Sequence, residues 1–258
     1  MMAIRQKQLE TLVPLIERRR TALAEGKADD CRAYVDSLLS VTVDGGRHLT
    51  ENELVTLCSE FINGGTDTTS TTMQWLMANL VKHPHIQAKL YDEIVVVAGK
   101  EKPVEDDDLS RMPYLEAVVK ETLRRHPPGM FVLPHAVTEA CALGGYVIPA
   151  GATVNFCVGE MGNDPRVWEN PADFVPERFL GVDVDMTGSK EIKMMPFGAG
   201  RRICPGWGLA ILHMELIVGR LVQKFKWECK PGETVELDEK QEFTTVMKNP
   251  LQAVVKER

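Results

Sequence analysis

Ten residues toward the C-terminal end concentrate the reactive groups of this chain: Phe197-Gly198-Ala199-Gly200-Arg201-Arg202-Ile203-Cys204-Pro205-Gly206. Glycines at 198, 200 and 206 allow turns and close backbone approach that a Cβ would block. The two arginines supply permanent charge and planar donors that match carboxylates. Cys204 comes next, just ahead of Pro-Gly and an apolar-periodic run, so it stands at the opening of a helix. Thiolate is the form of cysteine that ligates metal, and an arginine-flanked helix N-terminus favours its negative charge. The chemistry on offer is metal ligation through one sulfur. Taken alone, the same cysteine also reads as a small buried residue in a tight turn.

A second stretch is chemically unusual because of what it lacks. Asn63-Gly64-Gly65-Thr66-Asp67-Thr68-Thr69-Ser70-Thr71-Thr72 holds no large apolar side chain, yet it lies between two runs with helical spacing. Leu54, Leu57, Cys58, Phe61 and Ile62 precede it; Met73, Leu76, Met77, Leu80 and Val81 follow. Glycine costs about 1 kcal/mol against alanine inside a helix, and threonine and aspartate are mediocre helix formers. Two helices joined by a polar loop satisfy this pattern, and so does one long helix distorted in its middle. A threonine hydroxyl bonded back to a carbonyl one turn earlier is a known source of such distortion.

Phe197, Gly200, Arg202, Cys204 and Gly206 resemble the haem-binding signature of the cytochrome P-450 family, Phe-x-x-Gly-x-Arg-x-Cys-x-Gly, with every position filled. The resemblance implies haem b (iron protoporphyrin IX) with Cys204 as its metal ligand, an axial thiolate. Phe197, Gly198 and Arg202 are the loop's other expected cofactor-binding residues. Gly64-Gly65-Thr66-Asp67-Thr68-Thr69 is similar to the family's Ala/Gly-Gly-x-Asp/Glu-Thr-Thr/Ser segment. That favours one long helix and implies Asp67 and Thr68 as the catalytic, proton-delivering pair. His135, after Pro134, stands where the family often places a basic residue against a haem propionate.

The family also joins a Glu-x-x-Arg pair to a Pro-x-Arg-Phe segment, and both are present as Glu121/Arg124 and Pro176-Glu177-Arg178-Phe179. Two arginines can saturate one carboxylate and make its burial tolerable, which implies a structural role. The activity implied is monooxygenation: one atom of O2 enters a small hydrophobic organic substrate, with electrons from NADPH through an NADPH-cytochrome reductase. An O2-independent haem-thiolate isomerase or lyase is one rival. A truncated, inactive haem-binding or interaction fragment is the other.

The elements that must position these residues follow from periodicity. Residues 5–25 form an amphipathic helix with Leu9, Leu12, Val13 and Ile16 on one face, ending in a solvated Arg18-Arg19-Arg20; residues 31–40 form a short apolar helix. Thr50 and Glu53 make a capping box, with Leu49 and Leu54 as its hydrophobic staple. His83-Pro84 ends or bends the long helix, a further helix covers residues 86–94, and Asp106-Asp107-Asp108 is a solvated helix start. The helix from Pro113 carries Glu121 and Arg124 on one face and stops at His126-Pro127-Pro128. Short strands over 131–137, 145–148 and 153–156 predict a small sheet; residues 207–225 predict the last long helix. Residues 233–255 predict a terminal hairpin whose Phe243-Thr244-Thr245-Val246 is expected to face the substrate.

The 258 residues, 44% hydrophobic and 26% charged, suit a folded chain and argue against disorder. A net charge of −7 argues against a nucleic-acid partner. Six dispersed cysteines without a C-x-x-C pair argue against a disulfide framework or structural zinc and point to a reducing compartment. No apolar run reaches the ~20 residues that span a bilayer, and no signal-peptide core opens the sequence. The expected architecture is mainly α with a small β portion, with residues 1–258 forming the C-terminal, haem-side part of a single cytochrome P-450 domain. The fold is therefore incomplete, its N-terminal half absent, as in a truncated gene product or an incomplete gene model. Plant-like wording around Leu133-Pro134-His135 and Met194-Met195-Pro196 implies the plant branch of the family. The resemblance places the protein on the cytosolic face of the endoplasmic reticulum, with no anchor in this chain and membrane association only in the full-length form.

Overall fold

The computed structural model describes residues 2–29 and 31–258; Met1, part of the N-terminal segment read above, lies outside them. The chain divides into two compact units at Thr66/Asp67. That division falls within helix α3, Glu51–Lys82, which runs unbroken through the polar stretch. The hydroxyls of the stretch bond to the helix's own carbonyls: Thr66 Oγ1 donates to Ile62 O at 2.6 Å and Thr72 Oγ1 to Thr68 O at 2.9 Å. These back-bonds pair the hydroxyls within the helix, which stays continuous through a run poor in helix formers.

The first unit contains α1 (Met2–Ala24), α2 (Tyr34–Ser40) and the antiparallel pair β1 (Thr42–Val43) and β2 (Arg47–His48). Its core is Ile16, Leu38, Leu54 and Val55, with Leu9, Leu12, Val13 and Leu49 packed against it, so the predicted stripe and staple both reach it. The capping box forms as expected: Thr50 N–H donates to Glu53 Oε2 at 2.8 Å, and Glu53 N–H to Thr50 Oγ1 at 3.3 Å. The arginine run differs from its solvated reading. Arg19 is withdrawn from solvent and grips Asp36 through two bonds, at 2.8 and 2.7 Å, and Asp29 at 2.6 Å, so it ties α1 to the start of α2.

The second unit continues α3 and adds α4 (Pro84–Ala98), α5 (Asp106–Leu109), α6 (Pro113–Arg125), α7 (Val158–Gly162) and α8 (Trp207–Lys224). Leu76, Leu80, Leu90, Ile94, Val118, Leu123, Met214 and Val218 are among the side chains of its main core. The predicted small sheet is instead a set of separate two-stranded antiparallel pairs. β3 (His135–Ala136) pairs with β6 (Thr153–Val154), and β4 (Cys141–Leu143) with β5 (Tyr146–Ile148). Cys141–Leu143 carried no strand signal of its own; Gly144 and Gly145, at φ +58° and +85°, supply the left-handed turn that brings it back on β5. The terminal hairpin is shorter than expected, β8 (Glu239–Gln241) with β9 (Thr245–Met247). The last strand, β10 (Ala253–Glu257), pairs with β7 (Phe225–Cys229), just past α8. Asp108 is buried rather than solvated: it bonds the Glu105 N–H at 3.0 Å and Arg111 at 2.6 Å, capping its own turn.

Glu121 is fully buried on α6. Its carboxylate accepts Arg124 Nε at 2.7 Å and Nη2 at 2.8 Å, the Val175 N–H at 2.7 Å and Arg178 Nε at 3.3 Å. The guanidiniums are saturated in turn: Arg124 donates to the carbonyls of Gly162, Pro171 and Asp173, and Arg178 to those of Glu169 and Asn170. Four residues thus pin the 162–178 segment to α6. A Cβ at Gly162 would lie 2.0 Å from Arg124 O, so only glycine admits this approach.

Candidate functional site

The Cys204 loop leaves the core at the buried Met194 and Met195. Gly198, at φ +71°, turns the chain, and its N–H donates to Met195 O at 3.1 Å. A single helical turn at Gly200–Arg202 follows, with Gly200 at φ +65°. The loop is closed by Cys204 N–H donating to Phe197 O at 2.8 Å. Both left-handed positions fall on glycine, where an L side chain would be strained. Phe197 packs against the main core and anchors one end; α8 begins at Trp207 and anchors the other. Cys204 is held half-buried between those anchors, while Arg201 and Arg202 are exposed. Among the described residues neither guanidinium takes part in an ion pair.

His135 lies opposite Val154 in the β3–β6 pair, with Phe156 edge-on at 6.0 Å. Its Nδ1 is buried without a hydrogen-bond partner among the described residues. A buried nitrogen left unpaired is costly, so the atom fits a site completed by a group from outside the chain. The segment leading to His135 is adjacent to the cysteine loop: Val132 Cγ1 comes to 3.9 Å of the position a Gly198 Cβ would occupy. Phe131, Leu133 and Phe156 on these segments, and Trp207 and Leu209 at the start of α8, expose large apolar surface.

Asp67 is exposed and Thr68 half-buried on α3. Ser70 Oγ donates to Asp67 O at 3.2 Å. Among the described residues no hydrogen bond or ion pair joins Asp67 to the cysteine loop. The described ties from this part of α3 run to the β8–β9 hairpin instead. Thr71 Oγ1 and Thr244 Oγ1 share a buried bond of 3.0 Å, and Trp75 Nε1 donates to Thr245 O at 2.8 Å. His126 stacks on Trp75 at 4.2 Å with its Nδ1 3.4 Å from Glu239. Burial pushes the His126 imidazole below its ordinary value, with Glu239 opposing the shift. The sequence showed His126 only as a helix stop; its pairing across the fold left no local signal. Within the expected substrate-facing stretch, Phe243 is 87% exposed at the hairpin tip, whereas Thr244 and Thr245 are buried.

Helix α8, which follows the loop in sequence, carries Glu215. Burial, reinforced by Glu116 on α6, pushes its carboxyl up to about 7, with Lys120 opposing.

The family model described as Cytochrome P450 matches residues 1–256. The chain belongs to the cytochrome P450 family. Cytochrome P450 89A9 of Arabidopsis thaliana is 51% identical over 255 residues, covering 93% of this chain and 50% of that protein. Flavonoid 3'-monooxygenase of Arabidopsis thaliana is 40% identical over 215 residues, covering 81% of this chain and 42% of that protein. A zebrafish cytochrome P450 solved with progesterone superposes with a TM-score of 0.84 and 28% identity, over 98% of this chain and 57% of that one. The chain spans about half the length of the curated relatives it matches. Its mainly helical build with small strand pairs is that of the cytochrome P450 fold in part. Among the described residues no helix is long and apolar enough to cross a membrane.

Proposed function

We propose that this chain provides the haem-binding part of a haem-thiolate monooxygenase. The observation that carries the reading is the closed loop from Phe197 to Cys204, whose backbone bond and two left-handed glycines hold one cysteine on a loop whose two arginines have no ion-pair partner among the described residues. In that role residues 1–258 belong to one cytochrome P450 domain, and Cys204 would hold the haem iron through its sulfur. Arg202 and His135 bind carboxylates of the cofactor, which would give the orphaned His135 Nδ1 its partner. Phe197 supports the ligand loop from below, and Gly198 keeps its turn open. The haem would supply activation of O2 and insertion of one oxygen atom into a small hydrophobic organic substrate, with the other leaving as water. Asp67 and Thr68 hold and pass protons at the Thr68 hydroxyl, in a helix segment rich in hydroxyl side chains. Phe243 offers an aromatic contact to the substrate. Electrons come from NADPH through a cytochrome reductase, at the cytosolic face of the endoplasmic reticulum.

The test is spectroscopic. Haem-loaded protein, reduced and exposed to carbon monoxide, should show the red-shifted band of a thiolate ligand. Cys204→Ser should abolish that shift. An unchanged spectrum in the variant would remove Cys204 from the iron and this reading with it.

A further inference from the structure

The β8–β9 hairpin is bound to α3 in an unusual manner. Thr71 and Thr244 are both buried, 173 positions apart, and their hydroxyls meet at 3.0 Å. Two valines of similar shape would fill the same space without desolvating polar groups. A buried hydroxyl pair adds directionality instead, because each oxygen is costly to bury unless the other stands within bonding distance. The hairpin can therefore sit in one position against α3. Trp75 Nε1 to Thr245 O, at 2.8 Å, and Thr245 N–H to Pro128 O, at 2.8 Å, secure the strand beside the clamp. The loop over residues 242–244 is short, its Glu242 N–H bonded to Thr244 O at 3.0 Å. Phe243 projects from its tip, adjacent to the clamped Thr244.

On α3, Thr71 is four residues after Asp67 and three after Thr68, hence on the same helical face. Thr72, next to it, bonds the Thr68 carbonyl at 2.9 Å. One turn of helix thus carries both the hydroxyl assigned to proton delivery and the hydroxyl that fixes the hairpin.

We infer that Thr71 is a positioning residue for substrate selection: through Thr244 it fixes where Phe243 is presented relative to the Thr68 turn. This rests on the monooxygenase reading above. A residue in this role touches neither cofactor nor substrate, and its effect is confined to ligands large enough to reach Phe243.

The experiment compares Thr71→Val and Thr71→Ser in the purified protein. Amide hydrogen exchange over residues 242–247 should quicken about 10-fold in Thr71→Val, the loss expected for one net hydrogen bond, and return to the parent rate in Thr71→Ser. In the haem-loaded protein, absorbance titrations with imidazole and with 4-phenylimidazole supply the second readout. Thr71→Val should weaken the phenyl-bearing probe several-fold and leave imidazole unchanged, with Thr71→Ser restoring both. Unchanged exchange would show that no clamp exists. Faster exchange with an unchanged ratio of the two affinities would show that the clamp does not govern presentation of Phe243, and the inference falls. A protein lacking the thiolate spectrum would remove the monooxygenase reading and the selection role together, while the exchange arm alone would still decide whether Thr71 holds the hairpin.

Discussion

At Glu121 two guanidiniums and a backbone N–H close around one fully buried carboxylate, with Arg124 buried beside it and Arg178 half-buried. In the Cys204 loop two arginines also precede a single cysteine in sequence, but both are exposed and the loop is shaped by glycine rather than by ion pairs. The same residue types serve opposite ends. Arginine that finds all its acceptors within the chain fixes the fold, because any loss leaves a buried charge. Arginine without an ion-pair partner among the described residues, on the constrained loop that carries Cys204, is available to something the chain does not contain. Incompleteness alone does not mark binding, because His126 Nε2 and Asn79 Oδ1 are also buried without a partner among the described residues. His135 Nδ1 differs from them in its place, on a segment that approaches the cysteine loop through Val132.

The largest effect that could break this contrast is at the triad. Glu121→Ala strands Arg124 and Arg178, and breaking a buried pair typically costs ~3–5 kcal/mol. Soluble, folded protein should be largely lost, as read by yield and thermal denaturation; a variant of normal stability would refute the triad's structural role. An intermediate case sharpens the comparison. Glu215 is half-buried where Glu121 is fully buried, has another carboxylate, Glu116, as its neighbour, and its carboxyl is raised to about 7. A carboxyl raised in the folded state favours folding when protonated, and that contribution is lost as pH rises through 7. Glu215→Gln should therefore stabilise the protein at pH 8 by about 1–2 kcal/mol, below the full shift because the group is partly solvated. Near pH 4.5 the gain should vanish; a gain independent of pH would reject the assignment. The smallest effect belongs to the loop. Arg202→Ala should leave thermal stability of the haem-free protein within about 0.5 kcal/mol, the usual limit for surface substitutions, yet speed haem loss. Equal haem retention in parent and variant would overturn its binding role.

Much of this was legible because it is local. The capping box at Thr50 and Glu53, the Leu49–Leu54 staple and the apolar stripe of α1 each lie within a few residues and appear as read. Continuity of α3 through Asn63–Thr72 was a harder case. Propensity alone left it open, since a stretch of Gly, Thr and Asp fits a loop as well as a helix and has no apolar spacing to decide between them. The Glu121 triad was found from two motifs, neither of which would justify burial by itself. What escaped is non-local and polar. Arg19 with Asp36, Thr71 with Thr244, and His126 with Trp75 and Glu239 pair residues that periodicity treats as independent. Strand pairing was lost in the same way: β10 closes on β7, although the nearest turn signals suggested a simple hairpin over 233–255. Apolar patterning reports which face of an element is buried, not which distant partner meets it.

Gly162 carries a consequence for how variation in this chain should be interpreted. The atom that a side chain there would strike is a main-chain oxygen, so no change of rotamer can make room. By contrast, a Cβ at Gly159 would meet the flexible side chain of Met130, which can swing away. Two glycines three positions apart therefore differ sharply in evolutionary latitude. In a saturation screen scored only by product formed, Gly162 and Cys204 would look equally indispensable. One is constrained by space and the other by electrons, and only a measurement made on the folded, haem-free protein tells them apart.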